Sequence, residues 1–136
     1  MSYSVSAALQ AAVYQALAGD GPLNSLVGTA IYDAIPTGTL PATYVTLGPE
    51  SVRDKSDQTG YGAEHKFTIS VVTETSGFST AKAAAAAVSD VLHDADFGLS
   101  RGRLVALRFD RATARRTGTA GTRQIDLRFS ARVEDA

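Results

Sequence analysis

The sequence predicts an α+β fold in which a mainly antiparallel sheet of four to five strands has two helices packed on one face. Three observations predict it. Two segments have the apolar spacing of amphipathic helices, several others alternate apolar and polar residues, and the last two alternating segments flank a glycine-bearing turn region. Strands joined by hairpins, with helices between them, are typical of α+β domains. The length of 136 residues favours a single domain over residues 1–136.

The first helix is predicted by apolar residues that recur every four positions, namely Val5, Leu9, Val13 and Leu17. Ser4 is the expected N-cap, and Gly19 is expected to end the helix. A short helical turn is predicted from Pro22 to Val27, because proline favours the first helical position and Gly28 favours termination.

Two strands and a long loop are expected next. Residues 31–32 form a brief apolar strand, and residues 43–47 are a β-branched and aromatic run of the kind found in strands. Residues 49–62 are polar, charged and glycine-bearing, so they are predicted to form a long exposed loop. A structureless loop of this length is usually functional or disordered.

The rest of the chain is predicted to be strand, helix and a two-stranded hairpin. Residues 63–74 alternate as a strand, and residues 79–94 form an alanine-rich helix that Ser79 can cap. Residues 103–110 and 124–134 alternate as strands, the second with an evenly polar outer face that is typical of a sheet covered on one side. Residues 111–122 between them are predicted to form a long, exposed hairpin tip.

Charge is divided unevenly along the chain. Residues 1–100 contain four lysines or arginines and ten carboxylates, whereas residues 101–136 contain nine arginines and four carboxylates. The formal net charge is nevertheless only −1. Such asymmetry points to a partner, either a nucleic acid or an oppositely charged protein surface. Copies of such a chain can dock head to tail, with an acidic face against a basic face. A pI near 6.1 argues against generic coating of DNA.

No catalytic, metal or cofactor site is indicated. The chain has no cysteine, which excludes disulfides and thiolate ligands. The best candidate for a metal or acid–base cluster comprises Asp90, His93 and Asp94, but a polar, solvated helix end explains these residues better. Ser79 and Lys82 have the Ser-x-x-Lys spacing of serine β-lactamases, but Ser79 is better explained as a helix cap. His65 is expected on a strand near the edge of the core. We therefore expect a non-enzymatic protein without cofactors.

The basic run Arg111, Arg115, Arg116 and Arg123 is the main candidate binding feature. It has three interpretations: a solvated tip, a contact with carboxylates of a protein, or a contact with a phosphate backbone. The absence of aromatic residues between Phe109 and Phe129 argues against stacking on single-stranded bases. The planar fork of arginine suits pairing with carboxylates, so a protein partner is favoured over nucleic acid, while a solvated tip remains the simplest interpretation.

The order and spacing of these elements resemble the tail terminators, the tail-completion family of siphophages and gene transfer agents. The resemblance is carried by the first helix ending near Leu17, the segment Val27–Pro36, the proline-led strand Leu40–Gly48, the strand Phe67–Thr73, the alanine-rich helix ending at His93, and the last hairpin. It covers residues 5–134. A polar segment, Glu74–Gly77, stands where the family has an aromatic residue after the third strand.

This resemblance implies a structural protein that forms a ring, usually of six copies, at the head–tail junction of a particle assembled in the host cytoplasm. The ring caps the tail tube and docks the neck proteins, and DNA passes through its centre without specific recognition. The two exposed loops are expected to contact neighbours above or below the ring, through Arg53, Asp54, Lys55, Asp57, Arg111, Arg115, Arg116 and Arg123. Alternatives are a neck or head–tail connector component and, less favoured, a small DNA-binding module that uses the arginine hairpin.

Overall fold

A computed structural model describes residues 3–56, 61–75, 77–117 and 121–135. Over these residues it has three helices and five strands: α1 (Ser6–Ala18), α2 (Gly21–Val27), β1 (Ile31–Tyr32), β2 (Thr43–Asp54), β3 (Tyr61–Thr73), α3 (Ser79–Leu92), β4 (Arg103–Thr117) and β5 (Thr122–Asp135). None of the helices in these ranges is long and apolar enough to cross a membrane.

The five strands form one sheet in the order β1-β2-β3-β5-β4. The short β1 runs parallel to β2, and every other neighbouring pair is antiparallel. The predicted α+β class and mainly antiparallel sheet are therefore confirmed. The sheet contains five strands, the larger of the two predicted numbers. The described residues contain three helices rather than two, because the predicted turn after residue 20 is a complete short helix.

The core lies between the sheet and the helices. Alternate residues of β3 and β5 point towards the helices, and the alanines of α3 let that helix approach the sheet closely. The largest side chains that are fully buried there are Phe129, Leu9, Leu17, Leu23, Ile69, Leu92 and Leu107. The opposite face of the sheet carries polar side chains, as the alternation in the sequence predicts.

The predicted loop over residues 49–62 is wrong in its boundaries. Residues 49–54 continue β2 beyond an irregularity between Leu47 and Glu50, and residues 61–62 already belong to β3. The polar composition suggested a loop, but β3 is long enough to pair with this segment. That pairing provides hydrogen-bond partners for backbone N–H and C=O groups of the segment. Residues 57–60 lie outside the described residues.

The predicted hairpin tip over residues 111–122 is also shorter than expected. β4 continues to Thr117 and β5 begins at Thr122, so the two strands pair almost to the turn. Residues 111–116 are exposed, which explains why composition alone did not identify them as strand. Cross-strand backbone pairing holds them instead of side-chain burial.

The helix caps differ in detail from those predicted. Val5 rather than Ser4 is the N-cap of α1, and Phe78 precedes α3, so that Ser79 is the first helical residue rather than the cap. Gly19 ends α1 as predicted. The sequence analysis missed the cap of α2, where the side chain of Asp20 accepts a hydrogen bond of 2.9 Å from the backbone N–H of Leu23.

Candidate protein interfaces

The face of the sheet without helices is rich in arginine. Its cations project from four strands and are Arg53, Lys66, Arg103, Arg108, Arg111, Arg115, Arg128 and Arg132. We call this surface the open face. A shallow depression with a volume of about 300 Å³ lies on it between the strands, lined by Thr68, Arg111, Thr113, Asp126 and Arg128. The open face is thus a basic surface with a polar floor.

Carboxylates neutralise part of the open face. Arg115 Nε lies 3.2 Å from Asp126 Oδ2, and Arg128 Nε lies 3.6 Å from Asp110 Oδ2. Burial raises the pKa of Asp126, but hydrogen bonds from Ser70, Gln124 and Arg115 outweigh it and hold that pKa below its usual value. Such half-exposed pairs contribute little to stability. Arg108 and Arg111 have no ion-pair partner among the described residues, so they remain available to an external anion.

The predicted arginine cluster is divided between the two faces of the sheet. Arg111 and Arg115 pair with outward positions of β5 and lie on the open face. Arg116 and Arg123 lie directly opposite each other on the helix-bearing face. Consecutive side chains of a strand point to opposite faces, so a strand cannot present Arg115 and Arg116 to the same partner surface.

The other predicted interface residues lie at the far end of the sheet. Arg53 and Asp54 pair with the beginning of β3, whereas the arginine hairpin pairs with its end at Thr73. The backbone oxygen of Lys55 accepts a hydrogen bond of 2.9 Å from the guanidinium of Arg132. Asp57 lies outside the described residues. The predicted residues therefore form separate sites rather than one.

Arg116 and Arg123 form a cationic pair at the end of the hairpin. The Arg123 guanidinium lies 5.4 Å from the centroid of the Phe78 ring and donates a hydrogen bond of 2.9 Å to the backbone oxygen of Gly121. Its Nε atom is buried and has no hydrogen-bond partner in the part of the chain that the structure describes. Like charges directly opposite each other destabilise a strand pair. An anion bound beside this pair would reduce the repulsion between the two guanidinium groups.

A groove between α2 and α3 is the complementary feature on the helix layer. It has a volume of about 300 Å³, and its walls combine alanines and other apolar side chains with two carboxylates: Asp20, Pro22, Leu26, Ala83, Ala86, Ala87, Asp90 and Val91. Leu26 is 41% exposed, and the carboxylate of Asp90 has no partner among the described residues. The groove is therefore apolar along its walls and anionic at Asp20 and Asp90.

The candidate cluster at the end of α3 has a structural role. The backbone N–H of Phe109 donates a hydrogen bond of 3.0 Å to His93 Nδ1, and that of Asp94 donates one of 2.7 Å to the backbone oxygen of Leu107. His93 and Asp94 thus cover part of the edge of β4, which would otherwise expose unpaired backbone groups. Within the described ranges, no group of three or more histidines or carboxylates is arranged to hold a metal ion.

The sequence analysis missed a polar cluster around a buried histidine. His65 is completely buried rather than near the edge of the core, and its Nδ1 lies 3.4 Å from Glu50 Oε2. The Glu50 carboxylate also accepts hydrogen bonds from Ser6 Oγ, at 2.6 Å, and from the hydroxyl of Tyr3. These contacts attach the beginning of α1 to the centre of β2. The irregularity in β2 that turns Glu50 inwards has no clear signature in the sequence.

Acid should weaken this attachment. Burial raises the pKa of Glu50, but hydrogen bonds from Ser6, Tyr3 and His65 outweigh it and lower that pKa below the ordinary 4.5. A carboxyl with a lowered pKa stabilises the fold above the unfolded pKa, and this stabilisation disappears as the pH falls through the folded value. Glu50→Gln should therefore lower the free energy of unfolding by about 1 kcal/mol at pH 7 and flatten its decline below pH 4.5.

Urea unfolding between pH 3 and pH 7 checks this expectation. Glu74→Gln is a suitable control, because this exposed carboxylate has no side-chain partner among the described residues. Equal effects of the two substitutions would contradict a role of Glu50 in holding α1.

Comparisons with known proteins identify the family. The family model described as tail completion protein gp17 matches residues 11–134. A solved structure described as the virion of a native gene transfer agent particle contains a chain with 65% sequence identity and a TM-score of 0.93, and the match covers 98% of this chain and 99% of that chain. A search of curated proteins found no match. The resemblance inferred from the sequence is thereby confirmed, and this chain belongs to the tail completion protein gp17 family.

Proposed function

We propose that the protein is a tail terminator, a structural rather than catalytic component of a gene transfer agent or phage particle. In this proposal six copies form a ring at the head–tail junction. The ring caps the tail tube and provides the docking surface for the neck, and DNA passes through its centre without specific recognition. The observation that carries the proposal is the nearly complete match to a chain in a gene transfer agent virion. Assembly in the host cytoplasm follows from the same role.

The distribution of charge supports a ring. Arg116 and Arg123, which form no ion pair among the described residues, lie at the hairpin end, whereas Asp20 and Asp90 lie on the helix layer. A closed ring requires a heterologous interface, in which one surface of each copy meets a different surface of the next. A single chain that carries complementary charges on separate surfaces satisfies this requirement.

The ends of the sheet support contacts along the ring axis. The hairpin of β2 and β3 ends beside the end of β5, whereas the hairpin of β4 and β5 ends beside the end of β3. The β2–β3 pair and the β4–β5 pair therefore have their connected ends at opposite ends of the sheet. We propose that one end of the sheet faces the tail tube and the other faces the neck protein.

Native mass spectrometry and electron cryomicroscopy of assembled particles test this function. We expect the mass of a hexamer and six-fold density of this chain at the end of the tail tube. Density elsewhere in the neck would favour the connector alternative. A strict monomer that binds DNA with a strong dependence on salt, and that is absent from the tube end, would favour the DNA-binding module.

A further inference from the structure

We propose that the groove between α2 and α3 binds the arginine pair Arg116 and Arg123 of a second copy of this chain. This inference rests on the proposed ring and specifies the two surfaces that meet in it. Both surfaces belong to this chain, Arg116 and Asp90 are exposed, and neither forms an ion pair with a described residue of the same copy.

The chemistry of the groove fits an arginine side chain. Ala83, Ala86 and Leu26 offer apolar walls for the aliphatic part of the side chain, while Asp20 and Asp90 offer carboxylates for the guanidinium. Arginine commonly buries its methylene groups along apolar surface while its head pairs with a carboxylate. One oxygen of Asp20 caps α2, which leaves the other oxygen able to accept a further hydrogen bond.

The arginine pair has no carboxylate partner of its own and can therefore accept an external one. Arg116 faces Arg123 across the hairpin, and no ion pair with a carboxylate relieves their repulsion within the described residues. The neighbouring segments that lie outside the described residues, Ser76 and residues 118–120, contain no acidic residue that could do so. Glu74 follows the strand position that pairs with Arg123, yet it forms no ion pair with either arginine.

The arginine pair and Asp90 lie far apart within one molecule. Arg123 contacts Phe78, immediately before α3, whereas Asp90 lies eleven residues beyond Ser79 on that helix, a rise of about 16 Å. Asp90 is therefore separated from the hairpin end by most of the length of α3. A contact between them must join different copies, which makes the interface heterologous and compatible with a ring.

Charge reversal on each of the two surfaces tests this interface, because mixing the two variants should restore the contact. Arg116→Asp alone and Asp90→Arg alone should each weaken self-association by about 30-fold or more, because each places like charges together. A mixture of the two variants should assemble again. In a ring that alternates the two variants, every second contact joins a native arginine pair to a native groove. The contacts between them join Asp at position 116 of one variant to Arg at position 90 of the other. A ring of six copies can alternate in this way. Native mass spectrometry, or sedimentation velocity at several concentrations, measures the association.

Two further substitutions serve as controls. Arg108→Asp reverses an unpaired arginine on the open face of the same strand, and Asp96→Arg reverses an exposed carboxylate that does not line the groove. Both should leave association within about twofold of the unsubstituted chain, and thermal unfolding should confirm that all four variants fold. Higher salt should weaken association of the unsubstituted chain, because the proposed contact is between charges.

The outcomes separate this interface from the proposed function. Assembly restored in the mixture, but in neither single variant, supports the contact. Rings that form normally in both single variants would overturn this interface and leave the tail-terminator function standing. Normal rings that fail to join heads or tubes in the Arg116→Asp variant would also overturn it, since the arginine pair would then bind another protein. An unsubstituted chain that never oligomerises, alone or on tail tubes, would overturn both proposals.

Discussion

Replacing Phe129 with alanine should lower the free energy of unfolding by about 3–5 kcal/mol, the largest effect expected of any single core truncation in this chain. Phe129 is completely buried on β5 in the centre of the sheet. Its ring stacks on Phe67 with centroids 5.7 Å apart, and Phe109 approaches it edge-on at 5.9 Å. The substitution removes both aromatic contacts and leaves a cavity that neighbouring strands cannot close without losing backbone pairing.

Phe109→Ala provides the matched control. This ring belongs to the same cluster, but it lies on the edge strand β4 and is 39% exposed, so its removal should cost clearly less. Urea unfolding of the three proteins gives the comparison, provided that the denaturant dependence is unchanged. Similar losses for the two variants would mean that Phe129 is not the centre of this cluster.

The strands with one buried face were predictable from the sequence. In β5 the apolar residues occupy every second position, and the structure buries all of them: Ile125, Leu127, Phe129, Ala131 and Val133. A one-residue shift would expose the whole set, so the pattern specifies both the strand and its register. The same reasoning identified β3, whereas the first part of β2 was identified by its β-branched and aromatic residues.

The polar ends of β2 and β4 were not predictable by this route. Residues 111–116 are exposed on both sides, so they have no apolar period that could distinguish strand from loop. Their strand conformation comes from backbone pairing with β5. Irregularities between Phe109 and Arg111, and between Leu47 and Glu50, also change which side chains face the helices.

The charge division along the sequence corresponds to separate surfaces in the fold. The carboxyl-terminal part of the chain forms two neighbouring strands, so most of its arginines reach the open face together. The amino-terminal part contributes all three helices and the carboxylates of the groove. The sequence predicted that acidic and basic surfaces exist. It did not predict that Arg115 and Arg116 lie on opposite faces of the sheet, because that conclusion requires recognising the hairpin end as strand.

Gly102→Ala should also destabilise the fold strongly, by about 2–5 kcal/mol, because it combines backbone strain with a steric clash. Gly102 precedes β4 and has a φ of +75°, a region that residues with a Cβ atom rarely adopt. A Cβ atom there would lie 2.7 Å from the backbone oxygen of Glu134 and 3.0 Å from a methyl group of Val5. Relieving the clash would move the beginning of α1 away from the end of β5.

Gly77→Ala separates the two contributions. Gly77 has nearly the same φ, +76°, but no atom of the described residues lies within 4 Å of the position that a Cβ would take. This control should therefore lose only the backbone contribution of about 1–2 kcal/mol. Thermal and urea unfolding measure both variants. The difference between them is the cost of separating Val5 from the end of β5. If Gly102→Ala costs no more than Gly77→Ala, the contact between the beginning of α1 and the sheet end is not close-packed.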